Sequence, residues 1–420
     1  MRMRERLLLL GLTLCMVFAF SGCMAVSVEE LYSLPRMPEE YVQLQELISR
    51  RIEAGGEYAA PLGGSHRQSV QHQDLNGDGV AEAIAFLADG EHTPSICIYR
   101  MDSEGRYYLY VDIQGAGSAV SRADYADLNG DGAMEFILAW QIGGDLQLLT
   151  VYDLSGDMPV ELLSADCSEF LIHDLNGDGK DELLDLHLDE TGTGSIVMYV
   201  ADSENTVTAS RANLSAGITD VRRARLSYLG DGTPALFVES LYGESMLVTD
   251  VFIESGGLKN ITLSVTGVSN TLRSVPAYAA DINADRAMEI PESSGDCLNW
   301  YALDASGRKT LAMTTWHDYE SGWYLVLGDN MLAGLTVDVS AEISGETAAR
   351  FIGPGGETLF VIYTLTGENR LDRAAEEGRF ILAEENTTVY AAEILSGDVT
   401  GEEIQESFNL IYSEWQTGDL

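Results

Sequence analysis

Positive charge is scarce in this chain. Its 420 residues hold 24 Lys and Arg against 67 Asp and Glu, a formal net charge of -43. No basic surface exists to displace counterions from phosphates, which excludes nucleic acid as a partner. Electrostatic docking on anionic lipid is excluded for the same reason, and cations are the partners such a balance favours. Cysteine is also sparse, with 5 in all. Cys15 and Cys23 sit at the N-terminus, leaving Cys97, Cys167 and Cys297, an odd number without metal-type spacing; a disulfide framework does not fit. Cys97 lies in the alternating run Ser95-Ile96-Cys97-Ile98-Tyr99 and reads as a small buried hydrophobe. Beyond the N-terminus no apolar run reaches the ~20 residues of a membrane span. Catalytic signatures are missing too. None of the 6 His forms H-E-x-x-H, and the sequence has no G-x-S-x-G and no P-loop.

The N-terminus reads as an address. Arg2, Arg4 and Arg6 precede an apolar run from Leu7 to Phe20, too short to span a bilayer and suited to the core of a signal peptide. The run ends Phe20-Ser21-Gly22-Cys23, which resembles the lipobox of bacterial lipoproteins. That resemblance implies removal of residues 1–22, acylation of Cys23 and a lipid-anchored protein on the extracytoplasmic face of the cell membrane.

Internal repetition is the strongest signal. Asp-Leu-Asn-Gly-Asp-Gly begins at Asp74, Asp127 and Asp174, a degenerate copy begins at Ser227, and Asp-Ile-Asn-Ala-Asp-Arg begins at Asp281. The period is roughly fifty residues. Each copy runs into an apolar stretch such as Ala83-Ile84-Ala85-Phe86, and short β-type runs separated by turn residues fill the interval. Four strands per unit, repeated in line, predict a mainly β chain with a β-propeller of about five four-stranded blades over residues 65–317. A sixth blade built partly from flanking segments stays open.

The loops carry a pattern of oxygen donors. Asp74, Asn76 and Asp78 stand at positions 1, 3 and 5 and Glu82 at position 9, with Gly79 at position 6 to reverse the chain. The second loop offers Asp127, Asn129, Asp131 and Glu135, and the third Asp174, Asn176, Asp178 and Glu182. Oxygen-only donors of mixed type suit Ca²⁺ better than Mg²⁺, and the lack of His or Cys argues against zinc. The fourth copy has Ser227, Leu229 and Ala235 at donor positions and reads as empty. The fifth keeps Asp281, Asn283, Asp285 and Glu289, but Arg286 replaces the turn glycine, which counts against metal there. An EF-hand is ruled out because position 12 is Ala85, Leu138 or Asp185 rather than Glu. The loops resemble the calcium loops of FG-GAP/VCBS-type repeats, the units of integrin α-chain propellers and of bacterial surface proteins. The likeness implies calcium as a staple between strands.

The ends differ. Pro38 to Ala54 predicts an amphipathic helix with Tyr41, Leu44, Leu47, Ile48 and Ile52 on one face. After about Tyr319 the acidic loops stop, and strands with a short helix over 368–377 predict a small α+β domain. A capping box at Thr400 and Glu403 opens a last helix carrying Ile404, Phe408, Ile411 and Trp415. The order of elements resembles the C-terminal part of Gram-positive lipoproteins that carry the same repeats. The expected division is a signal peptide over 1–22, an anchor segment and helix over 23–62, the propeller over 63–318 and the α+β domain over 319–420.

These readings converge on a binding or adhesion module for a glycan, a cell-wall fragment or a protein. Trp140, Trp300, Trp316 and Trp323 are either core or a sugar-stacking platform. A polysaccharide hydrolase or lyase on the same propeller needs two convergent carboxylates in a pocket. A structural subunit of an envelope assembly needs an exposed apolar patch.

Overall fold

The computed structural model describes residues 39–411 apart from 145, 190, 275–276, 329–334 and 398. The apolar run before Cys23, Cys23 itself and Trp415 lie outside the described residues. The chain is mainly β and propeller-like, laid out as six antiparallel sheets in chain order. The first holds Val70–Gln73, Glu82–Ala88, Pro94–Met101 and Tyr107–Gln114, with Glu57–Tyr58 pairing further along the Glu82–Ala88 edge. The second, third and fourth are plain four-stranded meanders spanning Ala119–Cys167, Glu169–Asn213 and Ile218–Asn260.

Period-two alternation makes these sheets stack. In Glu82–Ala88 every residue is buried, since both faces are covered. Ile84 and Phe86 point to the second sheet and meet Phe136, Leu138 and Trp140. Ile137 and Ala139, the alternate residues of that next strand, meet Phe170 and Leu183 of the third sheet. Leu184 and Leu186 continue to Leu236 and Val238 of the fourth, and Phe237 to Ile290 of the fifth. The strands Glu82–Ala88, Glu135–Gly143, Glu182–Leu188 and Pro234–Tyr242 thus each feed two neighbouring cores, and a one-residue slip would invert both.

The two ends of the stack are closed by helices. The helix Glu39–Glu53 lays Leu44 and Ile48 on Ala83, Ala85, Leu87 and Cys97, the face of the first sheet turned away from the second. Cys97 is buried there, as its alternating run predicts. At the far end the short helix Arg370–Ala374 sets Ala374 against Ala348, Val361 and Ala391 of the sixth sheet. Among the described residues no apolar cluster joins the first sheet to the sixth.

The C-terminal region is knitted into the stack. The expected boundary at residue 319 falls inside a hairpin, because Lys309–Asp318 pairs with Trp323–Val326 in the fifth sheet. The capping box forms as expected, Glu403 N–H donating to Thr400 Oγ1 and Thr400 N–H to Glu403 Oε2. The helix then stops at Ser407, and Phe408–Leu410 becomes the outermost strand of the fifth sheet. The i, i+4 spacing of Ile404 and Phe408 permitted one helix. The aromatic ring instead gains contact with Trp323 and Tyr390, both at 5.4 Å between ring centres. In the sixth sheet Thr388–Ile394 sits between Thr358–Thr366 and Arg379–Glu384, so it is no simple meander.

Candidate metal loops

Four of the five acidic loops share one conformation. Asp74 accepts N–H from Gly77 and Gly79, both at 2.8 Å. Asn76 Oδ1 accepts from Asp78 N–H and Asp78 Oδ1 from Val80 N–H. The second and third loops repeat the set through Asp127 and Asp174. Gly77 and Gly79 take φ of 73° and 85°, so position 4 as well as position 6 needs the left-handed region. The fifth loop keeps this shape with Ala284 at 59° and Arg286 at 80°. Its missing glycines leave the backbone path intact and put strain into it instead.

Glu at position 9 locks each loop from beneath. Its Oε2 accepts the N–H of position 2: Leu75 at 2.7 Å, Leu128 at 2.7 Å, Leu175 at 2.8 Å and Ile282 at 3.1 Å. Burial pushes the carboxyls of Glu135, Glu182 and Glu289 up to about 7, with the loop aspartates adding repulsion. Burial raises Glu82 as well, opposed by the Leu75 amide and by Arg100, whose Nε lies 3.5 Å from Oε1.

The fourth turn is built differently. Tyr228 pairs with Pro234 where Gln73 pairs with Glu82, so this turn runs only from 229 to 233 against 74 to 81 in the first. Ser227 therefore lies on the strand before the turn, and Ala235 on the strand after it. Asp231 Oδ2 accepts the N–H of Ala305 at 2.9 Å, a link to the next sheet.

The loops stand side by side on one face. A Cβ on Gly77 would fall 3.1 Å from the Gly132 carbonyl oxygen, and one on Gly130 would strike Lys180 at 2.6 Å. Cross-links that the repeat motif does not announce join them to neighbouring hairpins. Asn129 Nδ2 donates to Asn205 Oδ1 at 2.8 Å, and Asn205 Nδ2 donates to Asp153 Oδ2 at 2.7 Å. Arg100 of the first sheet donates to the carbonyl oxygen of Gly156 in the second. A second series of turn aspartates, Asp102, Asp153, Asp202 and Asp304, was the available signal for these hairpins.

The donor chemistry fits an oxygen-preferring cation, with three carboxylates and one amide oxygen per loop. The donors are not drawn together into a cage. Among the described residues no group of three or more His, Cys, Asp or Glu side chains converges as a metal site. The Asp oxygens are turned onto loop amides, and Asn129 Nδ2 faces Asp131 and Glu135.

The histidines His66, His72 and His173 are placed as follows. Ser65 Oγ and Asp124 Oδ1 both approach His66 at Nδ1, each at 3.2 Å, so the ring cannot relay a proton between them. His72 and His173 sit on the strands leading into the first and third loops, opposite Ala83 and Glu182. Trp140, Trp300 and Trp323 are fully buried and Trp316 nearly so, which makes them core and removes the stacking platform.

Neither a family model nor a curated relative matches the chain. A crystal structure of a protein from Lactobacillus plantarum is a distant match, at 11% identity and a TM-score of 0.27, over 71% of this chain and 84% of that one.

Proposed function

We propose that the chain is a calcium-stabilised, propeller-like binding module, anchored through Cys23 on the extracytoplasmic side and presenting its row of acidic loops to a glycan, cell-wall fragment or protein. The observation that carries the reading is the repeated Asp-Asn-Asp-Glu set in three adjacent loops on one face. Calcium is a staple in this reading. It offsets repulsion among carboxylates packed with buried glutamates, and no reaction step is assigned to it.

Calcium titration followed by calorimetry is the test. Extracellular calcium modules bind at roughly 10⁻⁴–10⁻³ M, so millimolar calcium fills most sites. Each site then adds about 1 kcal/mol at a few times its Kd. Three sites raise the melting temperature by several degrees, and a chelator removes the gain. Asp78→Ala, Asp131→Ala and Asp178→Ala each remove part of it. Asp231→Ala lowers the baseline by breaking the Ala305 link but leaves the calcium increment intact. No increment with calcium in the unmutated protein sinks the reading.

A further inference from the structure

Two departures from the repeat meet in one groove. At position 2 the acidic loops carry Leu75, Leu128, Leu175 and Ile282, each no more than 8% exposed. The fourth copy carries Tyr228 there, 50% exposed, and the buried place passes to Leu229. At position 6 the first three loops carry Gly79, Gly132 and Gly179, with φ of 85° to 90°. The fifth carries Arg286, exposed and with φ of 80°. A side chain held in that region is strained, and such strain gathers at ligand sites. The Arg286 guanidinium has no hydrogen-bond or ion-pair partner among the described residues, in a chain with 67 Asp and Glu. Its neighbour Asp285 is turned to Ala287 N–H and Asn283 Nδ2 instead, each at 2.8 Å.

The fold sets the two side by side. Tyr228 and Ala287 form a parallel bridge, and Met288 N–H donates to the Tyr228 carbonyl oxygen at 2.9 Å. Tyr228 and Arg286 thus border one groove of about 350 Å³, whose wall also includes Gly230, Gly232 and Asp285. Both side chains are exposed, so a ligand reaches them without any opening of the fold. An unpaired guanidinium is a planar fork that matches a carboxylate with two hydrogen bonds. The net charge of the chain opposes an anion at a distance, but salt screens that repulsion beyond about 8 Å, and the fork acts at contact. The exposed phenol in the same groove offers a flat apolar face with a polar tip. The Tyr228–Ala287 bridge occupies the strand edges with which a peptide would pair. A sugar ring bearing a carboxylate suits both groups, with its apolar face on Tyr228 and its carboxylate on Arg286.

We propose that this groove binds a uronic-acid residue of an acidic polysaccharide, through Arg286 on its carboxylate and Tyr228 on its ring. The proposal narrows the glycan of the binding reading above to one class and rests on that reading, though not on its calcium.

Isothermal titration of the full chain with trigalacturonate, in chelator-treated buffer at physiological salt, tests it. Saturable binding is expected, with maltotriose, which lacks the carboxylates, bound at least tenfold more weakly. Arg286→Gly is expected to weaken trigalacturonate at least tenfold. That glycine restores the residue type of the first three loops, so lost binding is not lost folding. Tyr228→Leu, at an exposed position, is expected to weaken it at least threefold. Absence of saturable binding, equal binding of maltotriose, or binding undiminished in either variant overturns the proposal. So does a glutamate-rich peptide that binds more tightly and is lost in the same variants, which would make the groove a peptide site. The calcium increment in melting temperature is read on the same protein. Its presence without trigalacturonate binding overturns this proposal alone, and its absence with that binding intact upholds the groove and sinks the calcium staple.

Discussion

Asp185 lies on the strand Glu182–Leu188, 3% exposed, and its Oδ1 has no partner among the described residues. Burial pushes its carboxyl up to about 7, with Arg211 opposing and Asp166 adding to the rise. The unfolded chain has an ordinary aspartate near 3.9. Between those two values the folded state holds the extra proton, so the group's contribution to stability falls as pH rises from about 4 to 7. Above pH 7 the buried charge costs its full amount. Asp185→Asn removes the ionisation while keeping the shape. It should stabilise the protein by on the order of 2 kcal/mol at pH 8 and change little at pH 4.5. Urea unfolding of both proteins at the two pH values checks this, and an equal difference at both would show that Asp185 is not the titrating group. The sequence placed this residue only as position 12 of the third loop. Its burial comes from the covering of both sheet faces, which one strand read alone does not reveal.

At the scale of the element, the acidic loop was the most legible feature, because its donors, its glycines and its period lie within a few consecutive residues. Strand existence was legible for the same reason: alternation is local. The links from Arg100 to Gly156 and from Asn129 through Asn205 to Asp153 were not, since they join residues of different units. Phe408 was misplaced because helical spacing and the pull of Trp323 compete at one residue, and long-range burial won. The loop's own energetics yield a prediction. Arg286 holds φ of 80° where Gly79, Gly132 and Gly179 hold 85° to 90°. A side chain in that region costs about 1 kcal/mol or more, offset in part by the greater freedom of glycine in the unfolded chain. Arg286→Gly should therefore stabilise the protein by a few tenths to about 1 kcal/mol. The reverse change, Gly132→Arg, should destabilise it. Denaturant midpoints at fixed calcium check both, and a loss of stability in Arg286→Gly would show that the arginine side chain holds the loop.

For the whole molecule, what covers the outer face of the first sheet is decisive. In a ring the outer face of the first sheet would meet the last blade. Here Leu44 and Ile48 of the helix Glu39–Glu53 cover it, each 4% exposed, above Ala83, Ala85 and Leu87. Stacked repeats need such caps, because an uncovered end is a ready apolar surface for another copy. The sequence showed the amphipathic helix, but an apolar stripe does not say what receives it. Removing a buried leucine or isoleucine side chain costs about 2–5 kcal/mol, and replacing it with a charge also lifts the helix from its seat. The double change Leu44→Asp and Ile48→Asp should therefore lower the melting temperature. It should also expose the first sheet, raising dye binding and driving association by its uncovered face, as seen by size-exclusion chromatography with light scattering. Leu44→Ala alone should lower stability while the protein stays in its original oligomeric state. If the double variant loses stability but neither binds dye nor associates, that face is covered by something other than the helix.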